Sequence, residues 1–371
     1  MTKSKKFDEH YSLKPILKLK AHYNLIIGER SNGKTYATLD YAIEQYSKYK
    51  HQTALLRRFQ EDFVGKRGGA LFQPLIENNV IENYTNGEWT SVYYFGSRWY
   101  LCKYEETDKG INRIVDDTPF MYGFAISQME HDKGNGYPMI KTIIFDEFIT
   151  RGAYIRDEFI AFMNTLSTII RSRDDVKIFM LGNTVNKYCP YFDEMGLRHI
   201  REMQQGEIDT YQLKHKSGKM LRVAVEYCKP FEHGKKSDFY FCFDNQKLEM
   251  ITGGVWEIDI YPHCPYRYKP KDIIFTYFID FDSNLLQCEI VQINNTSFTF
   301  IHRKTTPLKN PDTELIYSTK FDARPNWRRK ITKPRLKIEH RITEYYLNDK
   351  VFYQDNETGE IVRNYLVWCG K

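Results

Sequence analysis

Eight residues constrain this chain more than any others: Gly28-Glu29-Arg30-Ser31-Asn32-Gly33-Lys34-Thr35. They follow the apolar run Tyr23-Asn24-Leu25-Ile26-Ile27, a first strand beginning near His22, and precede Tyr36-Ala37-Thr38-Leu39, which opens a helix expected to reach about Lys50. The run fits G-x-x-x-x-G-K-[ST] without a mismatch, in the strand–loop–helix setting that the pattern requires. Two glycines let backbone N–H groups curl around phosphate oxygens, and the helix behind them directs the positive end of its dipole at the same anion. Lys34 would reach the β- and γ-phosphates, and the Thr35 hydroxyl would hold Mg2+. A nucleoside triphosphate is the ligand this chemistry implies.

A second stretch sharpens that expectation. Lys141-Thr142-Ile143-Ile144-Phe145-Asp146-Glu147-Phe148 reads as a buried strand whose carboxyl end carries two acids. In a parallel α/β sheet, ligands bind at the carboxyl ends of the strands, so this end and the phosphate loop meet along one edge. Asp146 would then share Mg2+ with Thr35, and Glu147 would polarise the attacking water. Val176 to Asn183 is one more strand, delivering Asn183 to the same edge to sense the γ-phosphate or orient water. Between these strands, Phe159, Phe162, Met163, Leu166, Ile169 and Ile170 recur at helical spacing over a segment from Asp157 to Arg173. Its terminal charges, Asp157 and Glu158 at the start and Arg171 and Arg173 at the end, suit a helix dipole. Thr53 to Phe59 is a further strand, and its Arg57-Arg58 either points at the phosphate site or is simply exposed.

The alternation of strands and helices predicts an α/β domain over residues 1–205 with a mainly parallel sheet. A hairpin around Gly96-Ser97 and a strand over 120–126 belong to it, and Gly65-Lys66-Arg67-Gly68-Gly69 reads as a flexible basic loop. Beyond residue 205, Tyr211–Leu213 and Leu221–Val225 are strand-like, but residues 206–238 are polar and lysine-rich and read as a linker, followed by a smaller β-rich α+β domain over 239–371 with strands such as Phe239–Phe243 and Ile273–Asp280. Seven cysteines, with no C-x-x-C pair, indicate neither zinc nor a disulfide framework and suit a reducing compartment. No run approaches about 18 uninterrupted apolar residues, so no membrane span is expected, and Met1 to Asp8 lacks the apolar core of a signal peptide. A net charge of +6 suits a polyanionic partner without demonstrating one. No Asn-Lys-x-Asp motif is present, which disfavours a GTPase.

Taken together, Leu25 to Ala37, Leu56-Arg57-Arg58-Phe59, Ile143 to Ile149, Ile170-Arg171-Ser172-Arg173 and Leu181-Gly182-Asn183 through Pro190-Tyr191-Phe192 resemble the DNA-packaging ATPases of phi29-like tailed phages, terminase-like motors of the ASCE class. The resemblance covers roughly the first 200 residues. It implies a homomeric ring, a pentamer, docked on the portal of an empty capsid in the host cytoplasm and threading double-stranded DNA with ATP. It also implies that Arg171 acts in trans on a neighbour's nucleotide and that Lys133 reaches across the subunit interface. In related large terminases the second domain is an RNase H-like nuclease. Here Phe278-Ile279-Asp280-Phe281-Asp282 resembles its first strand, in a reduced, vestigial form expected to engage DNA or the portal. A motor that grips any sequence should use cations on phosphates. Lys66 and Arg67 are the pore candidates, and Arg328, Arg329 and Lys330 are candidates in the second domain. A terminase with a working nuclease, and a nucleotide-binding assembly module without turnover, are the competing expectations.

Overall fold

A computed structural model describes residues 11–369 apart from 109, 129–135, 216–217, 230–249 and 251–253. The expected strand at Phe239–Phe243 and the candidate Lys133 lie outside the described residues. The chain divides into two units. One comprises the residues up to Arg151 together with Asp157–Trp256; the other comprises Gly152–Arg156 and the residues from Glu257 onward.

The first unit is built on a ten-stranded sheet. Its strands are β1 (Tyr23–Gly28), β2 (Gln52–Arg57), β3 (Ser91–Phe95), β4 (Arg98–Thr107), β5 (Gly110–Val115), β6 (Met121–Ala125), β7 (Ile140–Asp146), β8 (Lys177–Asn183), β9 (Ile208–Lys214) and β10 (Met220–Tyr227). They lie in the order β3-β4-β6-β2-β7-β8-β1-β10-β9, with β5 paired to β4. The run β6-β2-β7-β8-β1-β10 is parallel throughout, and antiparallel strands flank it at both ends. Leu25, Ile26, Ile143, Ile144 and Phe145 are fully buried, as expected of parallel strands covered on both faces. The helix Lys34–Tyr49 lays Leu39, Ala42, Ile43 and Tyr46 into this core at three- and four-residue steps. The helix Glu158–Ile170 buries Phe162, Leu166 and Ile169, whereas Met163 is exposed, so its apolar face is narrower than the sequence suggests.

Two expectations are corrected. The stretch 206–238 is not simply a linker, because β9 and β10 extend the sheet, with Val223 to Tyr227 buried beside β1. The polar composition that suggested a linker belongs to an edge: β9 is mostly exposed, and its partner opens on Met220 and Arg222, also exposed. The basic stretch Gly65–Gly69 is not an open loop either. Lys66–Ala70 forms a short helix, and the buried Trp99 indole donates to the Gly68 carbonyl at 2.8 Å.

The second unit holds the sheet β15-β14-β11-β12-β13-β16, made of β11 (Ile273–Phe281), β12 (Asn284–Ile293), β13 (Thr296–Arg303), β14 (Ile316–Ser318), β15 (Trp327–Arg328) and β16 (Val351–Tyr353). An antiparallel meander, β11-β12-β13, is extended by parallel strands on both sides, and the helices Lys337–Leu347 and Asn356–Cys369 complete this smaller α+β unit.

Candidate nucleotide site

The loop leaves β1 at Gly28, where the chain passes so close to Cys228 that an added Cβ would lie 2.8 Å from that residue's Cβ. Ser31 and Gly33 adopt left-handed backbone (φ 62° and 91°), the second at the position that caps the helix Lys34–Tyr49. Lys34 Nζ is folded back into the loop, 2.7 Å from the Glu29 carbonyl, 3.3 Å from that of Gly28, 3.1 Å from Asn32 Oδ1 and 3.2 Å from Asn183 Oδ1. Burial pushes its ammonium down to about 8. The loop is also tethered from outside: the Tyr11 N–H donates to the Asn32 carbonyl at 3.2 Å, and the Tyr11 hydroxyl donates to Glu226 Oε2 at 2.6 Å. Tyr11, well upstream of β1, is therefore a structural residue of this loop.

β7 and β1 are not neighbours, since β8 lies between them and pairs Asn183 with Gly28. The gap is closed by side chains. Thr35 Oγ1 donates to Asp146 Oδ1 at 3.3 Å, and Arg57 Nη2, from the end of β2, donates to Asp146 Oδ2 at 2.7 Å. Glu147 follows with φ 60°, which turns the chain sharply and leaves this acid exposed beside the buried Asp146. Arg58 fixes that turn. Its Nη1 and Nη2 donate to the carbonyls of Glu147 and Phe148, at 3.2 and 3.0 Å, while Nε and Nη2 donate to the Glu158 carboxylate, both at 2.8 Å. Glu158 also accepts from the Tyr191 hydroxyl at 3.0 Å. Neither arginine of the pair is an exposed strand-end charge, and Glu158 is a buried anchor as well as a first-turn acid. Arg58, Glu158 and Tyr191 went unrecognised as site supports; the adjacency of two arginines at a strand end was the one available signal.

The structure thus brings together Gly28 to Thr35, Asp146, Glu147 and Asn183, and adds Arg57. It does not bring in Arg171. The helix Glu158–Ile170 begins beside the turn after β7 and, at about 1.5 Å per residue, carries its end about 20 Å away. There Arg173 donates to the Ile140 carbonyl at the opposite end of β7, at 2.7 Å, and the neighbouring Arg171 is exposed. The donor set fits magnesium: one hydroxyl and one carboxylate, the remaining ligands being phosphate and water oxygens. Among the described residues, no cluster of three His, Cys, Asp or Glu side chains forms an all-protein metal site.

That absence, among the described residues, includes the second unit. Asp280, on β11, lies in register with Ser318 on β14, and burial raises its carboxyl group's pKa while the charge of Lys320 lowers it. Asp282 is buried at the following turn. Among the DNA-contact candidates, Arg67 donates to the Glu61 carbonyl at 3.3 Å, and Arg328 is held by the buried Glu339 at 2.9 Å, so Arg328 is chiefly structural. Arg329, Lys330, Lys333 and Arg335 line a cavity of about 470 Å³ beside Trp327, whose indole Nε1 is buried without an acceptor.

A parallel sheet with a strand inserted between the phosphate-loop strand and the acidic strand, and an Asn at the tip of that insertion, defines a P-loop domain of the ASCE kind followed by a β-rich second domain. Residues 90–200 match the family described as Podovirus DNA encapsidation protein (Gp16), in agreement with the resemblance to phi29-like packaging proteins. The DNA packaging protein of Bacillus phage B103 is 29% identical over 177 residues, 47% of this chain and 48% of that protein. The chain thus spans about half the length of the curated relatives it matches. Among solved structures, the phi28 gp11 DNA packaging motor superposes with a TM-score of 0.52 at 19% identity, over 98% of both chains. The phi29 viral genome packaging motor assembly gives 0.53 at 19% identity, over 96% of this chain and 97% of that one. At these identities the two structures establish the shared fold. Among the described residues, no helix is long and apolar enough to cross a membrane.

Proposed function

We propose that this chain is an ATPase motor that drives double-stranded DNA into an empty phage capsid. The observation that carries the reading is the Thr35–Asp146 hydrogen bond of 3.3 Å, which joins the phosphate loop to an acidic strand end two strands away, with Glu147 directly after it. Gly28 to Thr35 hold the phosphates of ATP, and Thr35 and Asp146 hold magnesium. When bound, that ion neutralises charge on the phosphate oxygens. Glu147 orients and deprotonates the attacking water, and Asn183, already on Lys34, senses the γ-phosphate. A site built only to bind nucleotide needs no Glu147 at this point, which argues against an assembly module without turnover.

Arg171 serves a neighbouring subunit in this reading. Its place at the far end of the helix Glu158–Ile170, about 20 Å along that helix from the turn after Asp146, supports action in trans, within a ring of identical subunits, five by family resemblance. Lys133 is the second candidate to cross that interface. The ring acts in the host cytoplasm, docked on the capsid portal. Lys66 and Arg67 in the first unit, and Arg329 and Lys330 in the second, contact DNA phosphates. The pairing of Asp280 with Ser318, where cleavage by two metals would want converging carboxylates, argues against a working nuclease.

The deciding measurement is ATP hydrolysis with double-stranded DNA and empty capsids, each alone and together. Stimulation by both together is expected, and hydrolysis indifferent to either would refute the motor. Arg171→Ala should bind ATP without turnover, and mixing it with Glu147→Gln subunits should restore some activity.

A further inference from the structure

Among the described residues, the buried or half-buried cations Lys34, Arg57 and Arg58 stand at the phosphate loop and the acidic strand end, and in Lys34 and Arg58 every side-chain nitrogen is hydrogen-bonded. Lys34 reaches four oxygen atoms of the protein, and Arg58 is divided between Glu158 and two backbone carbonyls. Arg57 is different. Its Nη2 donates to Asp146 Oδ2 at 2.7 Å, but its Nε is buried and has no acceptor. A buried N–H left unmade costs about 1–3 kcal/mol, so the guanidinium carries an unused donor at the mouth of a site made for anions. Asp146 in turn has both oxygens engaged by protein donors, Thr35 on one and Arg57 on the other.

We propose that Arg57 is a positioning residue that stands in for the metal: it neutralises Asp146 until Mg2+ and nucleotide enter, then yields the carboxylate and turns to the phosphate chain. The inference rests on the reading of this site as a magnesium-dependent nucleotide site. A carboxylate only 5% exposed would be costly to leave without a counter-charge, and the guanidinium provides one in the absence of metal. Its planar fork also suits phosphate oxygens, which would satisfy the spare Nε. Arg57 ends β2, and Gln60–Phe63 and Lys66–Ala70 follow directly, so its two positions would be felt by the segment that carries Lys66 and Arg67.

The test is binding of a fluorescent ATP analogue to the full chain, titrated with Mg2+, for wild type, Arg57→Gln and Arg57→Lys. Binding of Mn2+ alone to the nucleotide-free protein is measured in parallel. With its competitor removed, Arg57→Gln should reach half-saturation at Mg2+ concentrations lower on the order of tenfold, a step of about 1.4 kcal/mol. It should also take up Mn2+ more tightly while turning ATP over more slowly; Arg57→Lys should fall between, and carries the test should the Gln variant not fold. A folded variant that needs as much Mg2+ as wild type or more, or takes up Mn2+ no more tightly, overturns the proposal, because a merely structural role cannot improve metal binding. Wild-type protein that binds no nucleotide at any Mg2+ concentration would instead refute the nucleotide site itself.

Discussion

Asp146 and Asp280 occupy comparable places, each in the last residues of a central strand with a parallel strand alongside, yet their surroundings diverge. Asp146 meets Thr35, Arg57 and the Glu147 turn, contributed by three separate segments, and Lys34 and Asn183 complete the same edge. Asp280 meets Ser318 in register, with the charge of Lys320 acting on it. A strand-end carboxylate acquires chemistry only when other elements converge on it. The first sheet achieves this by delivering β1, β2, β7 and β8 to one edge, and the second has an uncharged residue where a partner acid would be needed.

The comparison can be broken most forcefully at Glu147. Glu147→Gln should lower hydrolysis by about a hundred- to ten-thousandfold while leaving ATP binding intact, because the Arg58 clamp grips its carbonyl rather than its side chain. Lys34→Ala should abolish hydrolysis and weaken binding as well, and activity surviving both changes would sink the assignment. Arg58→Ala tests the turn: Arg58 and Glu158 are both buried, so losing one partner should cost about 3–5 kcal/mol in denaturant unfolding. A stability unchanged from wild type would remove the clamp from the account. A subtler contrast lies in pH. Since burial lowers Lys34 to about 8 and phosphate binds its protonated form, nucleotide affinity should fall as pH rises through that value, by at most about tenfold per unit. Isothermal titration at several pH values measures it, and Lys34→Arg, which cannot lose its proton, should flatten the curve. The smallest effect belongs to the other side: Asp280→Asn should leave ATP hydrolysis unchanged, and the wild-type chain should leave plasmid intact with Mn2+. Nicking that Asp280→Asn removes would overturn the contrast.

What the sequence reveals follows the same division. The convergence of the loop residues, Asp146, Glu147 and Asn183 on one edge is legible because short apolar runs mark where their strands stop. Arg58–Glu158 is not legible, since two charges a hundred positions apart declare no pairing until the helix Glu158–Ile170 packs beside β2. The runs that form β9 and β10 read as strand-like, but their place in the first sheet is not legible, because β9 is a half-solvated edge whose composition imitates that of a connector. Gly65–Gly69 misleads similarly, because three glycines suggest freedom where Trp99 in fact holds the backbone.

The position of β10 bears on when this protein becomes competent during synthesis. β1, which ends in the phosphate loop, pairs Tyr23 with Ile178 on one side and with Val223 on the other. A ribosome making the chain from its N-terminus exposes Gly28 to Thr35 long before either neighbour exists. On the proposed reading of the loop, its grip on nucleotide should arise only after Tyr227 has emerged, and ATP-binding competence should appear during translation in one step near the end of the first unit and not gradually with length.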